Sequence, residues 1–348
     1  MCHGCSRASN HGTSVSYIYD LQVHYSTKFD KPASFLLQSR TVNLENPDIS
    51  LLLELLQIDS PSGDEAPIAD WLESWIPDNV INPEIQRYGD SLIVSRGKRP
   101  DVALFAHIDT TGFTLGYGSS LIPIGGPAVV SGDGVRPAGQ SGSEATLEVR
   151  SGEWLLKGAA AAPGSRYVYS AAPEYDTKSI RSPYLDNRAG VYSALQCLLQ
   201  CNNIAVAFTT GEEHSGNGAT VCAGMLYRDF GITQALISDI TWDTEYIKCG
   251  QGVAISLRDR MVPRQRFLDQ VLKIAEESGI PFQREIESAG GSDGGYIQRS
   301  GHPIDWVFVG APEKGPHTAR EEIVFSDLES MTEMLAALVR GLKKETEG

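Results

Sequence analysis

No stretch of the 348-residue chain offers the run of about eighteen apolar residues that a membrane helix needs, so no span is expected. Positive charge is scarce as well. Only 29 Lys and Arg stand against 44 Asp and Glu, a formal net charge of -15. Phosphate backbones are held by clustered Lys and Arg, so nucleic acid is excluded as a partner. The six cysteines, at 2, 5, 197, 201, 222 and 249, are too scattered for a disulfide framework. Cys197 and Cys201 sit four apart on a predicted helix and read as core positions. Cys2, His3 and Cys5 look like half a zinc site with no second half. The first residues lack the basic start and apolar core of a secretion signal, and reduced cytoplasm is the expected compartment.

The chain that remains is long enough for one large α/β domain and a lesser one. Residues 1–45 have no sustained period and are read as an N-terminal extension without assigned chemistry. Asn46-Pro47 pairs an N-cap residue with proline at the first helical position, and Ile49, Leu52, Leu53 and Leu56 follow on one face. Ser62 and Glu65 make a capping box for a second helix striped by Ile68, Trp71, Leu72, Trp75 and Ile76. The run Val102-Ala103-Leu104-Phe105-Ala106 shows no polar alternation and suits a strand covered on both faces. From 113 to 181 the chain turns dense in Gly, Ser, Pro and Ala with short β-like pieces and no long helix, which predicts a small β-rich inserted domain. The α/β alternation resumes at 182 and ends in an amphipathic helix near 326–343. Residues 46–112 and 182–348 therefore form one α/β domain, a mixed and mostly parallel sheet flanked by helices. No internal repeat is present.

What the chain does have is a set of acidic and imidazole residues in repeated structural positions. Glu212 and Glu213 follow the apolar run Ala205-Val206-Ala207-Phe208, and like charges placed side by side there repel. A bound cation resolves this, with one carboxylate as ligand and the other free to move protons. His107 and Asp239 also come just past apolar strands, His317 follows another within a few residues, and Asp186 starts a helix. Ligands of open α/β sheets bind beyond the carboxyl ends of the strands, so these residues can converge on one crevice. Two imidazoles with several carboxylates suit zinc or a similar ion. Five ligands exceed one tetrahedral site, whereas two ions bridged by a carboxylate use all five. Asp109 is placed to accept the second ring N–H of His107 and fix its tautomer. Each residue has a plainer reading: Asp186 as an N-cap, Asp293 as a turn residue, the histidines as hydrogen-bonded loop residues.

The order of motifs resembles the dinuclear metalloaminopeptidases called tetrahedral or deblocking aminopeptidases, which include glutamyl aminopeptidases. The matching stretches are His107-Ile108-Asp109, Leu185-Asp186-Asn187-Arg188-Ala189-Gly190, Thr210-Gly211-Glu212-Glu213, Ser238-Asp239, Gly291-Ser292-Asp293-Gly294 and Pro316-His317-Thr318. Together they cover about residues 47–342. The resemblance implies that His107 and Asp239 hold one ion, Glu213 and His317 the other, and that Asp186 bridges them. Glu212 would be the general base, with Asp109 behind His107. It also implies two divalent ions per chain, zinc foremost with cobalt or manganese as alternatives. Insert placement fits this branch: the gap between His107 and Asp186 has room for one, and the gap between Glu213 and Asp239 has none for the later lid of related deacylases. The insert is short for the family, whose members form twelve-subunit shells, and a homo-oligomer is the expectation. After Asp239, Ile240-Thr241-Trp242-Asp243 departs from the small, proline-rich turn of the family.

The implied reaction is release of N-terminal amino acids from short peptides, with Asp293 and Arg320 as candidate substrate-binding residues. Arg320 would favour acidic N-terminal side chains. Two rivals stand beside it: an amidohydrolase or deacylase acting on small N-acyl amino acids, and a non-catalytic peptide-binding or assembly protein.

Overall fold

Short runs of alanine, valine, isoleucine and phenylalanine pair into the central strands of this protein, because only residues apolar on both sides survive between two helical layers. The structure is a computed structural model that describes residues 49–141, 145–158 and 161–342. The extension at 1–45, with Cys2, His3 and Cys5, and the helix start at Asn46-Pro47 lie outside the described residues, as does Lys343.

The described chain opens with helices α1 (Ser50–Leu56) and α2 (Ala66–Asn79), then strands β1 (Glu84–Tyr88), β2 (Ser91–Arg96) and β3 (Ala103–His107). Six strands follow: β4 (Gly112–Leu115), β5 (Leu121–Ile124), β6 (Gly134–Pro137), β7 (Ala145–Arg150), β8 (Glu153–Lys157) and β9 (Arg166–Tyr169). They form their own antiparallel sheet in the order β5-β4-β9-β6-β7-β8, around a core of Phe113, Leu121, Val135, Leu147 and Tyr167. The chain then runs through β10 (Glu174–Tyr175), β11 (Ser179–Ser182), α3 (Leu185–Gln200), β12 (Ile204–Thr209), α4 (Gly218–Phe230) and β13 (Gln234–Trp242). It ends with β14 (Val253–Arg258), α5 (Gln265–Ser278), β15 (Phe282–Ile286), α6 (Asp293–Gln298), β16 (Asp305–Lys314), β17 (Glu321–Val324) and α7 (Phe325–Gly341).

The larger sheet has eleven strands ordered β1-β2-β12-β3-β13-β16-β17-β11-β10, with β14 and β15 branching from β16. Its middle, β12-β3-β13-β16, is parallel. Alternation within β3 divides the core: Leu104 and Ala106 join α1, α2, α3, α5 and α7 on one face. Ala103 and Phe105 join α4 and α6 on the other. Each such Phe or Leu contributes about 1.5–3 kcal/mol by leaving water, and β3 and β12 are buried along their whole lengths.

Register then decides what meets at the carboxyl end. Thr209 of β12 pairs with His107 of β3, and Ile237 of β13 pairs with Phe105. Two residues further on, Asp239 is therefore level with His107. Asp239 does not follow its strand, as its sequence neighbours suggested. β13 runs on to Trp242 because β16 pairs with it residue by residue, Asp239 facing Gly310.

Two local expectations change. Glu65 stands at the N-cap of α2 without a side-chain bond to it, and the Ser62 hydroxyl is spent on Asp109 instead, at 2.5 Å. Asp186 is not an N-cap either: Tyr184, at φ 68°, holds that place for α3. Helix α3 is pressed against β13 at Gly190, where a Cβ would come within 2.2 Å of the Ser238 carbonyl. The approach is locked by Asn187 Nδ2 donating to Ser238 O (2.9 Å) and Ser238 Oγ donating to Gly190 O (2.8 Å). It brings the first turn of α3 to the end of the sheet.

Arg188 anchors that turn from behind. Its guanidinium is fully buried and donates to the carbonyls of Leu55, Ile58 and Ile108 at 2.9–3.1 Å and to the Ser60 hydroxyl. Arg188→Met keeps the stem and removes every donor, leaving buried acceptors unmatched. Urea unfolding should show a loss of about 3 kcal/mol or more; a loss under about 1 kcal/mol would mean that water takes over these bonds.

Candidate metal centre

Five side chains from five segments meet where the parallel strands end. His107 closes β3, Asp186 sits in the first turn of α3, and Glu213 lies just past β12. Asp239 stands within β13 and His317 three residues beyond β16. The two oxygens of Asp186 face different rings: Oδ1 is 3.0 Å from His107 Nε2 and Oδ2 is 3.1 Å from His317 Nε2. Each ring nitrogen has a second carboxylate slightly further off, Asp239 Oδ1 at 3.5 Å from His107 and Glu213 Oε1 at 3.5 Å from His317. Two triads result, His107–Asp186–Asp239 and Asp186–Glu213–His317, each with its ligand atoms within 4.8 Å of one another.

The hydrogen bonds on the far side of the rings decide what belongs between them. His107 Nδ1 lies 3.2 Å from the Asp109 carbonyl, and His317 Nδ1 lies 3.0 Å from the Gly126 carbonyl. A carbonyl only accepts, so both Nδ1 atoms carry a proton, and it is Nε2 of each ring that faces the carboxylate oxygens, where a proton or a metal ion can sit between them. Lone pairs on nitrogen and oxygen at 3.0–3.5 Å repel unless a positive charge lies between them. Glu213 Oε1 adds to this, being buried without a hydrogen-bond partner. The donor set of imidazole and carboxylate fits a divalent transition ion in each triad.

The electrostatics of the pocket point the same way. Burial raises the Glu213 carboxyl to about 8, with Asp186 adding to the rise. Burial likewise pushes Glu212 well above the usual range, and nearby Glu213, Asp239 and Asp293 work in the same direction. Asp239 is raised by burial, and Asp293 is pushed up to about 7 by the same cause. Burial opposes charge on His317 as well, but Asp186 and Glu213 carry it to about 10. Asp186 is the exception: against the cost of burial, His107 and His317 hold it below the ordinary carboxylate range. Groups that cling to protons mark a strongly negative pocket, where a cation can replace those protons.

Asp109 does more than stand behind His107. Its carboxylate is 3.5 Å from His107 Nδ1, longer than the reach of its own carbonyl. The nearer partners of that carboxylate are the Glu212 N–H (3.0 Å, to Oδ1), the Glu213 N–H (3.1 Å, to Oδ2) and the Ser62 hydroxyl. It therefore shapes the turn that presents the two glutamates. Glu212 is half-buried at the mouth of this turn. Asp293 is buried at the start of α6 and accepts the Thr209 hydroxyl at the end of β12. Arg320 is exposed, three residues beyond His317.

Two contributors escaped the sequence reading. Glu321 is buried and accepts the Asp186 N–H at 3.1 Å, fixing the backbone of the residue that faces both rings. The Asp186–Asn187 peptide beside it is cis. The only sequence signal of Glu321 is its place four residues after His317, in an acidic pair with Glu322. The Gly126 carbonyl has no side-chain signal at all.

Comparison with known proteins places this geometry. The model of the M42 glutamyl aminopeptidase family matches residues 159–334, about half of the chain. A curated protein of Acetivibrio thermocellus named "Putative aminopeptidase" is 28% identical over 336 residues, covering 85% of this chain and 100% of that one. Among solved structures, a TET aminopeptidase from a marine sediment archaeon of the Thaumarchaeota superposes with a TM-score of 0.77. It is 18% identical and covers 85% of this chain and 97% of its own. The Pyrococcus horikoshii TET1 peptidase gives 0.73 at 21% identity, covering 84% and 98%. At such identities the structural likenesses speak for the fold.

Proposed function

Given that this chain belongs to the M42 glutamyl aminopeptidase family, and so is a metal-dependent aminopeptidase, we propose that it works with two divalent ions, zinc foremost, in the two triads. His107 and Asp239 hold one, Glu213 and His317 the other, and Asp186 is shared. The observation that carries the reading is the Asp186 carboxylate, whose two oxygens each face the Nε2 nitrogen of a different ring. Divalent ions held there supply Lewis acidity toward a carbonyl oxygen and acidify water.

The protein's own residues do the rest. Asp109 fixes the Glu212 main chain, so the carboxyl sits at the mouth of the site with its affinity for protons raised by burial. Glu212 takes the proton of the attacking water and delivers it to the departing amine, a transfer worth about 10²–10⁴-fold. Asp293 and the exposed Arg320 are the candidates for contact with the substrate, Arg320 toward acidic N-terminal side chains.

Short peptides are the substrate class. The Pyrococcus horikoshii protein can assemble into a tetrahedron or an octahedral shell, and we infer a homo-oligomer here. Residues 113–181 are read as an inserted domain on the catalytic one, and 1–45 as an extension. Free thiols at Cys197, Cys201, Cys222 and Cys249 support a reducing, cytoplasmic setting; among the described residues no helix is long and apolar enough to cross a membrane.

A panel of aminoacyl-anilides and N-acyl amino acids, run after chelation and after reloading with zinc, cobalt or manganese, tests the proposal. Activity should vanish on chelation, return with metal and be confined to substrates with a free N-terminal amine. Turnover of the N-acyl series alone would instead make the enzyme a deacylase.

A further inference from the structure

One half of the centre is held by the other sheet. Beyond β5, residues 125–128 cross from the six-stranded sheet to the mouth of the site. The Gly126 carbonyl accepts the Nδ1 proton of His317 at 3.0 Å, and the Ala128 N–H donates to the His317 carbonyl at 2.9 Å. Ring and backbone are thus gripped together. His317 has a φ of 61°, a left-handed conformation that costs a non-glycine residue and persists only where surroundings impose it.

The same segment reaches Glu213. The Gly125 N–H donates to Nδ1 of His214, the next residue, at 2.9 Å. A Cβ on Gly125, whose φ is 71°, would stand 3.2 Å from both the Cβ and the carbonyl oxygen of Glu213. Only glycine therefore fits this position without moving the ligand. Among the described residues no comparable contact reaches the other half. His107 is fixed within β3 and by the Asp109 carbonyl, and Asp239 by its place in β13.

We propose that residues 125–128, together with His214, are positioning residues for the Glu213–His317 half of the centre, so that the six-stranded sheet sets ion affinity at that half alone. The proposal rests on the two-ion reading above. It works through ligand orientation: the carbonyl of Gly126 holds the Nδ1 side of His317 so that Nε2 is aimed at Asp186 and Glu213, and the bond to His214 keeps the Glu213 turn closed against the segment. Loss of such outer support typically weakens a metal site about 10- to 100-fold.

The test is calorimetric titration of chelated full-length protein with zinc, comparing wild type, His214→Ala, His214→Asn and Gly125→Ala. His214 is exposed, so its replacement leaves the core intact. Asparagine places an acceptor oxygen where Nδ1 stood. Wild type should take two equivalents. His214→Ala and Gly125→Ala should keep one at wild-type affinity and weaken the other about 10- to 100-fold, while His214→Asn restores it. Equal weakening of both ions, unchanged binding in His214→Ala, or no rescue by asparagine would overturn the proposal with two-ion binding intact. A wild-type chain that takes a single ion would overturn the two-ion reading and this proposal with it.

Discussion

Glu212→Gln is expected to bind both ions as wild type does, to unfold at the same temperature, and to lose about 10²- to 10⁴-fold in kcat. Glutamine fills the same volume and leaves the main-chain bond from residue 212 to Asp109 Oδ1 untouched. What it loses is the ability to take a proton. Because the change concerns a transfer made during the reaction, kcat and kcat/KM should fall together. Ion affinity falling in step with kcat would identify Glu212 as a ligand and move the proton transfer elsewhere.

Asp186→Ala is expected to have the broader effect, because one carboxylate serves both triads. Its removal takes an oxygen from His107 at 3.0 Å and another from His317 at 3.1 Å. Both ions should bind at least about 10²-fold more weakly, taking the upper end of what a lost ligand environment costs. Activity should be undetectable at ordinary metal concentrations. Asp239→Ala and Glu213→Ala should each affect mainly one equivalent, since each contacts one ring. The contrast is read by titrating the three chelated variants side by side. If Asp186→Ala weakened only one ion, the shared-ligand geometry would be wrong.

Much of this site is legible in the sequence for a simple reason. A buried parallel strand announces itself as an unbroken apolar run, and the residue that ends the run must sit at the carboxyl edge of the sheet. Val102 to Ala106 and Ala205 to Phe208 do so, and His107, Glu212 and Glu213 are placed by them. The same rule puts Asp239 just past its strand, whereas β13 continues through it: neighbouring β16 supplies pairing that residue type does not record. Ser62 shows how one pattern can serve two roles. Its spacing to Glu65 is that of a capping box, yet the hydroxyl finds the stronger acceptor in a buried carboxylate. The supports furthest from legibility are main-chain atoms, the carbonyls of Asp109 and Gly126 that set the ring tautomers. Backbone atoms are common to every residue, so only the folded chain can assign them.

Crystals of the zinc-loaded protein, measured with X-rays on both sides of the zinc absorption edge, test the central claim most directly. Two anomalous peaks should flank Asp186, one beside His107 and Asp239 and one beside Glu213 and His317. A single peak, or peaks lying away from Asp186, would contradict the account.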